Sequence, residues 1–181
     1  MANLTSKIID NRNASPQEFS GINESPDGTP SGTTTTSYVN GGRLRRKAAV
    51  IATGGNQTDG ATARFFTVKS SDVIHSLLTS GDALTGFSDI NIGIYLTDGG
   101  AAVSESLFKD NDTSMASATV REERRVGADS ALGIETLGQA VWQLAGLTAD
   151  PNVTYDITWT MVDAGSDSGD IVTEMLYTAG D

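Results

Sequence analysis

A strict alternation of apolar and polar residues in two segments restricts the fold more than any other feature. In residues 89–97 and 153–162 every second side chain is apolar: Ile90, Ile92, Ile94 and Leu96, and then Val153, Tyr155, Ile157, Trp159 and Met161. A period of two is typical of a strand with one buried face. Both segments are therefore predicted to be β-strands that pack on a common core.

Further strands are predicted where short apolar runs end in turn residues. These runs are residues 47–53, 62–69, 71–79, 119–126 and 171–178. Residues 71–79 also fit a helix, but their length and the turn residues on both sides favour a strand. The chain has 20 Gly but only 4 Lys, a balance that favours strands and tight turns over exposed helices. Six or seven strands at this spacing predict a sandwich or barrel.

One helix is predicted over residues 134–147. Its apolar residues recur with a period of 3.6, and Gly146 with Pro151 would end it. Residues 105–108 are predicted to form a loop or a short helix. The fold class is therefore predicted to be all-β, a jelly-roll-like β-sandwich with one short helix and an extended N-terminal arm.

The arm is assigned to residues 1–45 and the β-sandwich body to residues 46–181. The arm holds three of the four prolines, and its apolar residues are sparse and have no period. A segment of this kind cannot form a packed core by itself. It is either a tail without a role or an arm that becomes ordered against a neighbouring subunit or partner. The second interpretation is favoured by its larger apolar residues, Ile8, Ile9, Phe19, Ile22 and Tyr38.

Charge is divided unevenly along the chain. The net charge is −11, but residues 1–47 carry 6 basic and 4 acidic residues (+2), and residues 48–181 carry 6 and 19 (−13). Such a body repels nucleic acid and anionic lipid, so neither is predicted as a partner. The basic cluster Arg43, Arg45, Arg46 and Lys47 either docks on a charged partner or only solvates the start of a strand. Residues 122–125, Glu-Glu-Arg-Arg, are predicted to be a solvated strand face with local ion pairs.

Catalytic residues, metal ligands and cofactors are not predicted. The chain has no cysteine, and its one histidine, His75, lies within an apolar segment, so the parts for a catalytic triad or a zinc or copper site are missing. Acidic clusters at residues 110–112 and 163–170 leave a calcium site open, although a hairpin loop explains the second cluster more simply. A glycosidase with paired carboxylates also stays open, because one sequence does not show which acids meet. No stretch approaches the roughly 18 apolar residues of a membrane helix.

An ordered series of short segments resembles the decoration (cement) proteins of tailed-bacteriophage capsids. The resemblance covers roughly residues 62–178 and rests on the order of residues 72–78, 92–95, 99–103, 105–108, 141–147, 150–151 and 155–158. It implies a β-sandwich body, no catalysis, and symmetric oligomers clamped across capsomer junctions. It carries over no site residues, since the family has no catalytic motif.

The sequence thus predicts a virion structural protein that binds the outer surface of a phage capsid lattice and stabilises it by multivalent adhesion. Its partners would be the major capsid protein and further copies of itself, as a homotrimer at three-fold positions or a homodimer at two-fold positions. It would be made in the bacterial host cytoplasm and end on the capsid surface. The alternative is a carbohydrate- or calcium-dependent β-sandwich binding module of a phage fibre or cell surface. The predicted contact residues are the five apolar arm residues and the four cations of the basic cluster.

Overall fold

The computed structural model describes residues 43–55, 57–84, 89–127, 130 and 132–180. Eight strands follow one another along the chain: β1 (Leu44–Thr53), β2 (Thr62–Lys69), β3 (Val73–Gly81), β4 (Ile90–Leu96), β5 (Ala102–Asp112), β6 (Thr119–Glu123), β7 (Thr154–Met161) and β8 (Gly169–Thr178). One short α-helix, α1 (Val141–Leu144), lies between β6 and β7. Two 3₁₀ turns cover Ser114–Ala116 and Ile134–Thr136.

The strands form two antiparallel four-stranded sheets. The first sheet has the order β1-β8-β3-β6 and the second has the order β2-β7-β4-β5. Two sheets of four strands in these orders make a double-sheet jelly roll, in which successive strands cross between the sheets except for β4 and β5, which pair with each other. The prediction of an all-β sandwich with one short helix is confirmed. The described residues contain eight strands rather than the predicted six or seven.

The core lies between the sheets and is built from the alternating residues. Ile90, Ile92 and Ile94 of β4 are at most 1% exposed, and Ile94 lies opposite the fully buried Ile157 of β7. Leu96, predicted to share this face, is 43% exposed because β4 ends there at the β4–β5 turn. The period of two thus identified the central strands of the second sheet correctly.

Strand β5 corrects the prediction of a loop or short helix at residues 105–108. Between Ile92 and Ile94 of β4, the paired β5 residues change from Lys109 to Ser104, so β5 carries extra residues in a bulge. The bulge interrupts the alternation and hides the strand from a periodicity argument. The bulged backbone crosses so close to Gly93 that an added Cβ would lie 2.0 Å from the Ser104 carbonyl oxygen. Only glycine fits at this position of β4.

The helix predicted over residues 134–147 is shorter than expected. Its first part is the 3₁₀ turn, which is followed by Gly138 at φ +91°, a backbone conformation that ends a helix. Ile134 is 76% exposed, whereas Val141 and Leu144 of α1 are buried. The predicted helix therefore joined two separate elements: the 3₁₀ turn, whose Ile134 is exposed, and α1, whose apolar residues are buried.

The basic residues near the end of β6 are buried, which corrects the predicted solvated face at residues 122–125. Arg124 and Arg125 are both 0% exposed. Arg124 donates to Asp112, 2.5 Å away, and forms a second ion pair with Glu122 at 3.2 Å. Arg124 thus connects the β6 edge of one sheet to the end of β5 in the other.

Arg125 differs from Arg124, because its guanidinium donates hydrogen bonds to neutral oxygen atoms of Thr136. Its guanidinium donates to the Thr136 carbonyl oxygen at 2.7 Å, and its backbone amide donates to the Glu123 carboxylate at 2.8 Å. Burial lowers the pKa of Arg125, and the Glu123 carboxylate opposes that shift. The strand predicted over residues 119–126 ends at Glu123, although the Arg124 backbone amide still donates to the Leu77 carbonyl oxygen of β3 at 2.7 Å.

Candidate interaction surfaces

The predicted contact residues fall into two groups. Five of them lie outside the described residues: Ile8, Ile9, Phe19, Ile22 and Tyr38. The basic cluster lies at the start of β1, which begins at Leu44, three residues earlier than predicted. Because β1 pairs with β8 alone among the described strands, it is an edge strand. The cations therefore belong to a sheet edge.

Strand alternation divides the basic cluster between two surfaces. Arg45 and Lys47 share a face with Ile51, which points toward the second sheet, whereas Arg46 is on the opposite face with Val50. One contiguous sequence motif thus supplies two structural sites. We call the first site the edge groove, a name for two separate cavities along β1 and β2, and the second the outer face, formed by the solvent side of β1, β8 and β3.

One end of the edge groove is basic. Arg43, Arg45, Lys47 and Lys69 line a cavity of about 570 Å³ between the start of β1 and the end of β2. The Lys47 ammonium donates to the Thr67 carbonyl oxygen at 2.6 Å and lies 5.1 Å from the centre of the Tyr177 ring. Lys47 therefore bridges the sheets, while the two arginines remain exposed.

Asp72 also lines this basic end, and its carboxylate is hydrogen-bonded within the fold. Asp72 accepts hydrogen bonds from the backbone amides of Lys69 and Gly180, at 2.9 and 3.0 Å. Its carboxylate thus fixes the end of the chain to the β2–β3 turn. The positive charge of the basic end remains available to an anionic group.

The other end of the edge groove is apolar. A cavity of about 170 Å³ opens there, and its apolar lining consists of Ile51, Ala52, Ala61, Ala63, Trp159, Met161 and Ile171. Two polar atoms in this lining, Gln57 Oε1 and Trp159 Nε1, are buried without a hydrogen-bond partner among the described residues. Buried donors and acceptors of this kind normally have partners.

The outer face carries exposed apolar residues around an ion-paired carboxylate. Leu44 and Val50 of β1 are 59% and 64% exposed, and Val50 lies opposite Val172 of β8. Glu174 of β8 pairs with Arg46 at 2.7 Å and with Arg121 of β6 at 2.9 Å. The hydrogen bond from Arg46 is the largest cause that lowers the pKa of Glu174, and the charge of Arg121 adds to it.

Three of the residues considered for catalysis or metal binding contact other side chains of the fold. His75 is half-buried, its Nε2 atom lies 2.6 Å from Thr178 Oγ1, and burial followed by the charge of Arg125 lowers its pKa. Asp112 of the first acidic cluster is the buried partner of Arg124. In the second cluster, Asp163 hydrogen-bonds Asp89, and this bond adds to desolvation in raising the pKa of Asp89.

Metal-binding and membrane-spanning features were also sought. Within the described ranges, no group of three or more His, Cys, Asp or Glu side chains is close enough to hold a metal ion. Over the same part of the chain, no helix has the length and apolarity to cross a membrane. The edge groove and the outer face present apolar side chains, charged groups and hydrogen-bonding groups.

Sequence reasoning found the basic cluster but missed both the outer face and the apolar end of the groove. The outer face had a signal in the sequence. Had β1 been extended back to Leu44, alternation would have separated Arg46 from Arg45 and placed it with Val50. The apolar end of the groove had no signal in the sequence, because Gln57 and Trp159 are 102 positions apart and meet only in the folded chain.

Comparison with known proteins extends the description of the fold. No family model matches the chain, and no curated protein matches it in sequence. A chain in the capsid of Ralstonia phage GP4 is similar in structure, with a TM-score of 0.50 and 11% identity, covering 76% of this chain and 86% of that one. A chain of the cyanophage Pam1 capsid asymmetric unit matches over the same shares, with a TM-score of 0.48 and 14% identity. The GP4 likeness confirms, at the level of the fold, the resemblance to phage capsid proteins.

Proposed function

We propose that this chain is a structural protein of a phage virion, and more specifically a cement protein that binds the outer surface of the capsid and stabilises it. A chain of the same fold belongs to the capsid of Ralstonia phage GP4, which supports the proposal. The resemblance in the sequence points the same way. The proposed partner is the major capsid protein, and the proposed activity is adhesion without catalysis.

The outer face is the observation that carries the proposal. Exposed apolar side chains such as Leu44 and Val50 beside paired charges are typical of a protein–protein contact with an apolar part and a polar rim. The outer face is therefore the proposed contact with the capsid.

Charge would orient the molecule on the lattice. Arg43, Arg45, Arg46 and Lys47 all lie at the β1 edge, while residues 48–181 have a net charge of −13 (6 − 19). A partner with an acidic surface would attract this edge and repel the rest of the body. We therefore expect capsid binding to weaken as the salt concentration rises.

Multivalent attachment would supply the affinity. Several copies of the chain joined in a symmetric oligomer, with a homotrimer favoured over a homodimer, would engage several coat-protein subunits at once. We assign the five apolar residues of the N-terminal segment to contacts with the coat protein or a neighbouring copy: Ile8, Ile9, Phe19, Ile22 and Tyr38. The cost of ordering that segment, roughly 1–2 kcal/mol per residue, requires a large apolar contact in return.

The test is binding to empty capsids of the phage whose genome encodes the chain. Purified protein should bind stoichiometrically and produce symmetric density on the outer capsid surface. The variant Val50→Asp should weaken binding at least ten-fold, because it places a charge in the apolar part of the outer face. The matched control is Val120→Asp on β6, which is 84% exposed and lies on the opposite edge of the first sheet.

Absence of binding at micromolar concentration would contradict the proposed function. Equal losses in both variants would instead contradict the assignment of the outer face. Thermal stabilisation by calcium or a glycan would favour the carbohydrate- or calcium-dependent binding module.

A further inference from the structure

The basic end of the edge groove holds more positive charge than the acidic residue beside it neutralises. Arg43, Arg45, Lys47 and Lys69 line its cavity of about 570 Å³, which we call the basic cavity. Asp72 is the only acidic residue among the described residues of this lining, and two backbone amides donate to its carboxylate. Clefts of about 300–1,000 Å³ are large enough to admit a ligand. The basic cavity therefore fits a partner that presents carboxylates.

Carboxylates gather at the opposite end of the sandwich, where β1 and β7 end and β8 begins. Asp170 of β8 lies opposite Ala52 of β1, and its backbone amide donates to the Asp82 carboxylate at 3.0 Å. Asp163 follows β7 and hydrogen-bonds Asp89, which precedes β4. Strand pairing thus brings carboxylates from separate segments of the chain to one end.

Asp59 belongs to the same end, because the amide of the next residue, Gly60, donates to the carbonyl oxygen of Met161 in β7 at 2.9 Å. We call these five carboxylates, of Asp59 and the four preceding aspartates, the acidic end. Six Asp but no Lys or Arg occur in the sequence segments around it, which are residues 53–62, 80–90 and 161–170. The local sequence therefore supplies negative charge without cations.

The basic cavity and the acidic end cannot pair within one chain. Strand β1 leads from one to the other, and its ten residues span roughly 30 Å. An ion pair needs a nitrogen–oxygen distance of about 4 Å or less. The opposite charges of the two sites can therefore meet only between two copies of the chain.

We propose that the acidic end of one copy docks into the basic cavity of the next copy. The exposed Asp59 and Asp163 of one copy supply carboxylates to the exposed Arg43, Arg45 and Lys69 of its neighbour. Charge complementarity between two sites of the same chain identifies a second copy as the occupant. Because the two sites differ, each copy can offer its acidic end and fill its own cavity. Repeated around a closed symmetric oligomer, the contact fills every basic cavity.

This inference rests on the proposed function in one respect, since it names the contact that builds the proposed symmetric oligomer. Arg46 lies on the outer face and outside the basic cavity, so the contact leaves the proposed capsid-binding surface free. Purified protein without capsids tests the contact between copies. Capsid binding by a protein whose copies do not associate would therefore overturn this inference alone.

Zero-length cross-linking with a carbodiimide tests the contact in the purified full-length protein. The reagent joins an ammonium group to a carboxylate in ion-pair contact with it. We expect bonds from Lys69 to Asp59 or Asp163. In a mixture of isotope-labelled and unlabelled protein, mass spectrometry should find these bonds between one labelled and one unlabelled peptide. Bonds from Lys69 only to carboxylates of its own copy would overturn the proposal.

Charge reversal tests which sites meet. Arg43→Glu/Arg45→Glu and Asp59→Lys/Asp163→Lys should each weaken association in sedimentation equilibrium by about ten-fold or more, because like charges then face each other. The variant that combines all four substitutions should regain most of the affinity, since a reversed cavity then faces a reversed acidic end. Melting temperatures near that of the unsubstituted protein establish that each variant is folded.

A matched control has the net charge of the fourfold variant but an unchanged acidic end. It combines Arg43→Glu/Arg45→Glu with Asp98→Lys/Glu135→Lys, two exposed acids outside the acidic end, and should stay dissociated. Equal association of the control and the fourfold variant would overturn the proposal, as would a protein that stays monomeric at high micromolar concentration. If such a monomer lost capsid binding in Arg43→Glu/Arg45→Glu, the basic cavity would belong to the coat protein instead.

Discussion

At each edge of the sandwich a cation bridges the two sheets, but the two cations differ in burial and in partners. At the β5/β6 edge, the buried Arg124 joins the sheets through Asp112 and Glu122. At the β1/β2 edge, Lys47 makes the only side-chain ion or hydrogen-bond bridge described between the two strands, and a groove remains on both sides of it. We call the first the closed edge, because its bridging cation is buried, and the second the open edge, because a cavity lies on each side of its bridging cation. Under the proposed function, the closed edge contributes stability and the open edge contributes binding.

The chemistry of the two cations explains the difference. Arg124 has no exposed surface, so its charge depends on the carboxylates around it, and the loss of one carboxylate leaves a buried charge poorly compensated. Lys47 is half-buried and can be hydrated if its protein partner is lost. Substitutions at the closed edge should therefore affect folding, and those at the open edge should affect binding.

The largest effect is expected from Asp112→Asn at the closed edge. The substitution keeps the shape of the side chain but removes the charge that faces Arg124. We expect the free energy of unfolding to fall by about 3–5 kcal/mol, the usual cost of breaking a buried pair. Urea denaturation followed by tryptophan fluorescence measures it, and a loss below about 1 kcal/mol would show that Arg124 is not dependent on Asp112.

A double substitution tests whether the loss of stability in Asp112→Asn comes from the unpaired charge of Arg124. Asp112→Leu with Arg124→Met replaces the buried pair with apolar side chains, and such replacements are often neutral or stabilising. We expect the double variant to recover most of the stability lost in Asp112→Asn. If it is as unstable as the single variant, packing or the remaining hydrogen bonds of this site, rather than the paired charge, holds the edge closed.

A smaller effect is expected from pH, through His75. Burial and Arg125 lower the pKa of His75 in the folded chain below its ordinary value of 6.5, so the unfolded chain binds the proton more readily. Stability should therefore fall as the pH drops from about 6.5 toward the lowered pKa, with a slope of at most one proton. Melting temperatures of the protein and of His75→Gln across pH 5–8 should diverge in that interval. Parallel profiles would mean that His75 does not titrate differently on folding.

The smallest effect on stability is expected from Lys47→Met at the open edge. Met keeps the apolar stem and loses the hydrogen bond to Thr67 and the contact with the Tyr177 ring. We expect a change of about 1 kcal/mol or less, as for other solvent-accessible cations. A loss comparable to that in Asp112→Asn would erase the distinction between the two edges.

The sequence predicted the parts of the fold that depend on local pattern. Alternation in residues 89–97 and 153–162 located the central strands β4 and β7, since one face of each lies on the core. It failed at β5, where a bulge beside Gly93 breaks the period. It also failed at Arg124 and Arg125, whose partners Asp112 and Thr136 are 12 and 11 positions away and are brought close only by the fold. For this reason the charged residues 122–125 were predicted to be exposed to solvent.

The candidate surfaces were predictable to a similar extent. The cations of residues 43–47 stand out in an acidic chain, and they do lie at an exposed edge. Their division between the edge groove and the outer face follows from the start of β1 at Leu44, three residues before the predicted start. The assignment of the arm to residues 1–45 stays a prediction, since residues 1–42 lie outside the described residues.

Amide hydrogen exchange with and without empty capsids tests the central claim most directly, because it reports both edges in one experiment. If the open side is the binding side, capsids should slow exchange in β1 and β8 at least several-fold and leave β5 and β6 unchanged. Slowed exchange confined to β5 and β6, or no change in any strand at saturating capsid, would contradict the account.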